Sequence, residues 1–150
     1  MSSRLRRAVS GSLAVAALTA VMLGGGATSA SAHAYESQLV KGEYLGAGDY
    51  IQRLTLTGGD FTLIMQSDGN LVEYRDEASY GRKVCWASNT RYHGGTHVVY
   101  QNDGNFVMYP DWSTKAVWSS NTYNGGGSTV DINKFGVIYV GTTPITGMCS

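Results

Sequence analysis

Two stretches of this chain are near copies of one another, and a chain that repeats itself builds its core from repeated pieces. Residues 63–74 read LIMQSDGNLVEY and residues 98–109 read VVYQNDGNFVMY, aligned without a gap at a spacing of 35. From the glutamine onward six of nine positions are identical: Gln66/Gln101, Asp68/Asp103, Gly69/Gly104, Asn70/Asn105, Val72/Val107 and Tyr74/Tyr109. A second echo follows each copy, Val84 to Thr90 (VCWASNT) and Ala116 to Thr122 (AVWSSNT), and the glycine pairs Gly58-Gly59 and Gly94-Gly95 precede them. The repeating unit is therefore turn, strand, tight turn, strand, loop and Trp-bearing strand.

A third copy is degenerate. Gly125-Gly126-Gly127 precedes VDINKFGVIYV (130–140), and setting Val137 and Tyr139 opposite Val72 and Tyr74 puts Asp131, Asn133 and Phe135 in the Gln, Asp and Asn positions. The scaffold persists there while the polar set does not, so no working site is expected.

Each unit reads as β structure. Phe61 to Met65 alternates with β-forming residues, and Asp68-Gly69 and Asp103-Gly104 are hairpin dipeptides that suit the positive φ angles of a type I′ turn. Alternation then sorts the side chains. Leu63, Met65 and Leu71 share one face in the first unit, as do Val98, Tyr100, Phe106 and Met108 in the second, and this is the predicted core face. Gln66, Asn70, Val72 and Tyr74 fall on the opposite face, with Asp68 in the turn above them. Glu73 breaks the pattern, which sends it inward, and is expected near a sheet edge. No stretch after residue 32 shows sustained helical periodicity. Three antiparallel sheets of three or four strands, each too small to bury a face alone, must pack their Trp-bearing inner faces around an approximate threefold axis. The expected fold is all-β, a β-prism.

The chain has 150 residues and formal net charge zero, but the charge is unevenly placed. Arg4, Arg6 and Arg7 precede an uncharged apolar run from Ala8 to Gly26, and Ala30-Ser31-Ala32 ends the segment with small residues. This is the pattern of a secretory signal peptide over 1–32, with Ala34 an alternative cleavage point and a twin-arginine route a further possibility from Arg6-Arg7. A membrane anchor fits less well, the apolar run being short for a bilayer that needs about 20 residues. The exported remainder, a short segment 33–36 and a domain over 37–150, keeps eight basic and eleven acidic residues, net charge −3, and all ten tyrosines. No basic excess points to nucleic acid, and no second apolar run points to membrane insertion. In an exported protein Cys85 and Cys149 read as one disulfide. Two cysteines 64 residues apart lack the close ligand pairs of zinc sites, and no metal or cofactor is expected.

The outward set Gln66, Asp68, Asn70, Val72 and Tyr74, with its twin Gln101, Asp103, Asn105, Val107 and Tyr109, supplies amides, a carboxylate, a phenol and a small apolar surface. It suits a neutral polyol, whose hydroxyls donate to the carboxylate and exchange hydrogen bonds with the amides. Asp and Asn also serve tight turns, and Val and Tyr are ordinary sheet residues. Turn service alone leaves the return of the whole set on the solvent face unexplained. A glycosidase would need two carboxyls roughly 5 to 9.5 Å apart across one bond, whereas repetition puts Asp68 and Asp103 on different sheets. His93 and His97 lie around a glycine turn and read as loop residues, too few to hold a metal.

The pattern Q-x-D-x-N-x-V-x-Y, as QSDGNLVEY (66–74) and QNDGNFVMY (101–109), together with CWASNT and VWSSNT, resembles the bulb-type, monocot mannose-binding lectin family over about residues 37–150. The resemblance implies a β-prism II fold with up to three mannose sites. It implies Asp68 and Asn70 on the axial 2-hydroxyl, Gln66 on the 3-hydroxyl, Tyr74 on the 4-hydroxyl and Val72 against the ring carbons, with Asp103, Asn105, Gln101, Tyr109 and Val107 in the same roles. Two sites are expected to work, and Asp131, Asn133, Val137 and Tyr139 to mark a degenerate third. The third copy lacks the Trp of its W-x-x-G position, Pro144-Ile145-Thr146-Gly147 standing in its place, so Trp86 and Trp118 should carry the central packing. Cys85 and Cys149 depart from the family's usual disulfide positions. A bridge between them would pin the last strand to the first unit and oppose terminal-strand exchange, favouring a monomer or a looser homodimer. The implied function is that of a secreted, non-enzymatic lectin for mannose-containing glycans; the alternative on the same fold is a lectin-like antibacterial toxin or a protein-binding module.

Overall fold

The computed structural model describes residues 34–35, 37–56 and 58–150. The expected signal peptide, 1–32, lies outside the described residues. All regular elements among the described residues are strands. Three successive units of three strands follow one another: β5 (Asp60–Met65), β6 (Leu71–Glu77) and β7 (Gly81–Ala87); β8 (His97–Tyr100), β9 (Phe106–Tyr109) and β10 (Trp118–Ser119); β11 (Thr129–Ile132), β12 (Ile138–Val140) and β13 (Thr143–Pro144). Each unit is an antiparallel sheet that takes a further strand from the N-terminal run. β4 (Tyr50–Arg53) joins the first, β3 (Tyr44–Gly46) the second and β2 (Gln38–Val40) the third, while β1 (Ala34–Tyr35) adds a parallel edge beside β4. The architecture is the expected β-prism of three sheets.

How residues 38–53 visit all three sheets follows from a six-residue period. Leu39, Leu45 and Ile51 recur every sixth position, and each is fully buried. Gly42 and Gly48 turn the chain between them with φ of 89° and 94°, values that favour glycine. The acidic residue after each glycine closes the corner: Glu43 Oε2 accepts from Val40 N (2.9 Å) and Asp49 Oδ2 from Gly46 N (2.9 Å). The corners dock alike on the neighbouring hairpins, Gly42 N donating to Tyr100 O and Gly48 N to Met65 O, both at 2.7 Å. One coil around the prism thus gives each sheet one strand and one core side chain.

The predicted core face is the core. Leu63, Met65, Leu71, Val98, Tyr100, Phe106 and Met108 are all fully buried. Trp86 and Trp118 pack against them half-buried, their rings 5.7 Å apart at 61°, with Phe106 edge-on to Trp118 at 6.2 Å. Edge-to-face contact suits the ring quadrupoles.

Glu73 does not lie at a sheet edge. β6 is paired on both sides, Glu73 standing between Leu63 and Trp86, and its side chain is fully buried with neither carboxylate oxygen hydrogen-bonded. Strand alternation outweighed charge: the counterparts in the other sheets, paired with Val98 and Val130, are Met108 and Val140. Burial pushes the Glu73 carboxyl up to about 8, because an ion in an apolar interior loses its hydration.

Cys85 and Cys149 form a disulfide, with Cα atoms 5.3 Å apart. The β6–β7 register skips at Cys85, since Trp86 pairs with Glu73 and Val84 with Tyr74. The last strand, β13, stays in the third sheet beside β12. It is the segment beyond it that crosses to the first sheet, held by the disulfide, by Arg75 Nη1 donating to Cys149 O (3.0 Å) and by Lys83 donating to Ser150 O. Closing a loop of 64 residues restricts the unfolded chain by about 4 kcal/mol in the chain-entropy account. Reduction, or Cys85→Ser with Cys149→Ser, should therefore lower Tm by on the order of 10 °C; a calorimetric trace unmoved by reductant would contradict this.

Candidate functional site

Each of the two repeated motifs spans a hairpin and is built in the same way. Gln66 N donates to Asn70 O (2.8 Å) and Gly69 N to Gln66 O (3.1 Å); the twin bonds join Gln101 to Asn105 (2.9 Å) and Gly104 to Gln101 (3.0 Å). The loops therefore have three residues, with glycine alone at positive φ, 85° for Gly69 and 89° for Gly104. This corrects the expected two-residue type I′ turn: Asp68 and Asp103 keep negative φ, as in a type I turn followed by a glycine bulge. Their carboxylates fold back instead, Asp68 Oδ1 accepting from Asn70 N (3.1 Å) and Asp103 Oδ1 from Asn105 N (2.9 Å).

The echo that follows each motif clamps it. Asn70 Oδ1 accepts from Ser88 Oγ (3.0 Å) and Thr90 N (3.1 Å), and Thr90 Oγ1 donates to Gly69 O (2.7 Å). Asn105 Oδ1 accepts from Ser120 Oγ (3.2 Å) and Thr122 N (3.2 Å), and Thr122 Oγ1 donates to Gly104 O (2.7 Å). Backbone N–H groups only donate, so the amide orientation is fixed: each Oδ1 is held by protein and each Nδ2 keeps its two hydrogens for a ligand. Ser88, Thr90, Ser120 and Thr122 are positioning residues that motif reading alone overlooked. Their signal was the repeat of SNT two residues after Trp86 and again after Trp118.

Across each hairpin, Gln66 Nε2 donates to Tyr74 Oη (2.8 Å) and Gln101 Nε2 to Tyr109 Oη (3.0 Å). A phenol that accepts from the amide retains its own hydrogen to donate outward, and the glutamine Oε1 remains an acceptor. Val72 and Val107 lie on this outward face yet are only 3% exposed, so they floor the site rather than stand on it. The structure brings Gln, Asp, Asn, Val and Tyr together twice, on the β5–β6 hairpin of the first sheet and the β8–β9 hairpin of the second.

The surroundings of the two sets differ. In the first, Arg91 Nε pairs with Asp68 Oδ2 (3.0 Å), and the Arg82 guanidinium lies 5.0 Å over the Tyr74 ring while bonded to Asp76 through Nε and Nη2 (2.6 and 2.8 Å). That hydrogen bond holds the Asp76 carboxyl below its ordinary value and the Arg82 guanidinium above its own. In the second, His97 belongs to β8 rather than to a loop, directly opposite Tyr109, while His93 stays in a turn.

The third hairpin has a different alignment from the one expected. Asn133 N donates to Val137 O (3.0 Å), Gly136 N to Asn133 O (3.1 Å), and Gly136 carries the positive φ of 72°. Cys149 N donates to Phe135 O, as Tyr92 N does to Asp68 O and Asn124 N to Asp103 O. Asn133 therefore stands in the glutamine position, Phe135 in that of the aspartate, Val137 in that of the asparagine and Tyr139 in that of the valine. Asp131 lies one strand away, paired with Tyr139, and Gly141 takes the tyrosine position. The chance sequence Val137-Ile138-Tyr139 imitated V-x-Y two residues out of place. Asn133 Oδ1 is consumed by Phe135 N (2.8 Å) and Val137 N (3.1 Å), and no carboxylate stands at the turn.

No family model matches the chain. Curculin-2 of Molineria latifolia is 36% identical over 77 residues, covering 51% of this chain and 42% of that protein, so the match spans less than half of that relative. The B-type lectin plumieribetin of Scorpaena plumieri is 33% identical over 85 residues, covering 55% of this chain and 69% of the relative. Among solved structures, the mannose-specific agglutinin of snowdrop (Galanthus nivalis) bulbs, in complex with methyl-α-D-mannoside, superposes with a TM-score of 0.58 at 31% identity, covering 72% of this chain and 91% of that one.

Proposed function

This chain belongs to the bulb-type mannose-binding lectin family, and on that premise we propose that it is an exported lectin that binds mannose-containing glycans, without chemical turnover, at two sites. The observation that carries the reading is the orientation of Asn70 and Asn105. Each presents two N–H donors beside a carboxylate, Asp68 or Asp103, so that one hydroxyl can accept from the amide and donate to the carboxylate. An axial hydroxyl projecting from a sugar ring fits between such a pair. Gln66 and Tyr74, or Gln101 and Tyr109, then serve the next hydroxyls along the ring, and Val72 or Val107 underlies the ring carbons.

Residues 133–141 supply none of these groups in register, and the third hairpin is scaffold. Export rests on the basic, apolar and small-residue succession of residues 1–32. The pinned C-terminal segment supports a monomer or a looser homodimer, since exchange of that segment between chains would require opening the Cys85–Cys149 disulfide.

A monosaccharide held by so few polar groups should bind with Kd on the order of millimolar, useful avidity coming from glycans that engage both sites. Competition on immobilised mannan tests the specificity. Methyl-α-mannoside should elute the protein where glucose and galactose elute it poorly; equal elution by all three would contradict the axial-hydroxyl argument. Target-cell activity that persists after mannan binding is abolished would favour the toxin reading.

A further inference from the structure

We infer that the second site continues into an aromatic subsite for another sugar ring, so that the two sites, alike in their five motif residues, are unequal toward oligosaccharides. The inference rests on the mannoside reading above. Its basis is what flanks each tyrosine. Beyond Tyr74 of the first site the outward face carries Thr62 and Gln52, hydrogen-bonded to each other at 3.4 Å, and the Arg82–Asp76 pair covers the phenol ring. Beyond Tyr109 of the second site the same positions hold His97 and Gly46, with Tyr44 one step along the strand.

This second flank is open and aromatic. The His97 ring lies 6.2 Å from that of Tyr109 and 6.0 Å from that of Tyr44, which is 56% exposed. Two grooves, of about 610 and 800 Å³, meet at His97 and Asp111, one reaching Tyr44 and the other Tyr109 and Trp112. Trp112 is 74% exposed yet anchored: its indole edge rests on Gly94, where an added Cβ would stand 2.8 Å from Cζ2. Asp111 is held in place by Thr96 Oγ1, which donates to its Oδ1 (2.7 Å), and by His97 Nδ1 at 3.3 Å.

An aromatic plate beside a fixed, exposed carboxylate suits the apolar face and hydroxyls of a pyranose. Because the groove begins at Tyr109, the ring it would take is the neighbour of the mannose bound there. The first site has no room for such a plate, its tyrosine face being occupied by Arg82.

The test is titration of the whole protein with methyl-α-mannoside and with an α-linked mannotriose, in three backgrounds: native, Asn70→Asp and Asn105→Asp. The trisaccharide should bind roughly 3- to 10-fold more tightly than the monosaccharide. This gain should persist in Asn70→Asp and vanish in Asn105→Asp. Trp112→Ala should remove the gain and Trp112→Phe restore most of it. Binding of methyl-α-mannoside without a gain for the trisaccharide overturns the subsite alone, as does a gain that survives Trp112→Ala or resides in the first site. Absence of binding by either sugar overturns the mannoside reading and the subsite with it.

Discussion

Replacing Asn70 and Asn105 together by aspartate should abolish retention on immobilised mannan while leaving the fold intact. The reason is the division of labour within each amide. Oδ1 is already committed to Ser88 and Thr90, or to Ser120 and Thr122, and an aspartate oxygen can accept the same bonds. The Nδ2 donors are what the substitution removes. In their place a second carboxylate stands beside Asp68 or Asp103, where it can only repel a hydroxyl oxygen. Loss of two donors at a solvent-facing site weakens binding by roughly 100-fold, which puts a millimolar site out of reach. Thermal unfolding should stay close to that of the native protein, since both clamps survive. Each single variant should retain mannan weakly through its remaining site. Undiminished retention by the double variant would remove both hairpins from the binding account.

Glu73→Met should stabilise the protein, and by an amount that depends on pH. The buried carboxyl has its folded-state value raised from 4.5 to about 8. The folded protein therefore keeps a proton that the unfolded chain releases. That tighter proton binding contributes fully below pH 4.5, is lost as pH rises, and is gone above pH 8. The slope is about 1.4 kcal/mol per pH unit within the window. At pH 7 the native protein has lost roughly 3 kcal/mol relative to acid conditions through this one group. Methionine is what the second sheet carries at the same place, as Met108, so its shape suits the core. The stability difference between Glu73→Met and native protein should widen steadily from pH 5 to pH 8 in urea unfolding experiments. Glu73→Gln, which keeps the shape and cannot titrate, should give the same widening from a lower starting point. A difference that does not change with pH would mean that Glu73 is not held neutral. Tyr100, the other titratable core side chain among the described residues, is also pushed up by burial, but it donates to Gly127 O (3.3 Å). Its titration belongs to more alkaline conditions.

Much of the fold was legible because two units are written nearly twice. The identical residues at 66–74 and 101–109 placed the hairpins, their inward and outward faces and the tryptophan strands. What escaped had physical causes. Residues 38–53 contribute strands of only three or four residues, too short for alternation to register, and their signal was the six-residue spacing of Leu39, Leu45 and Ile51. In the third hairpin Val137-Ile138-Tyr139 imitates V-x-Y out of register, and the turn glycine, Gly136 with φ of 72°, is the true marker, because backbone conformation constrains a tight turn more than a V-x-Y pattern does. Asp68-Gly69 suits both two-residue and three-residue turns, and the Asn70 clamp selects the second. Alternation alone sends Glu73 to the inner face, and only an ionised carboxylate would require a sheet edge, whereas burial here favours the protonated form.

On the proposed reading two hairpins, and not the third, bind mannose. Titration of isotope-labelled protein with methyl-α-mannoside, followed residue by residue through amide chemical shifts, tests it most directly. Saturable shifts should gather at residues 66–74 and 101–109 and at their clamps, Ser88 to Thr90 and Ser120 to Thr122, while residues 133–141 stay still. Saturable shifts centred on 133–141, or none at either motif at tens of millimolar sugar, would contradict it.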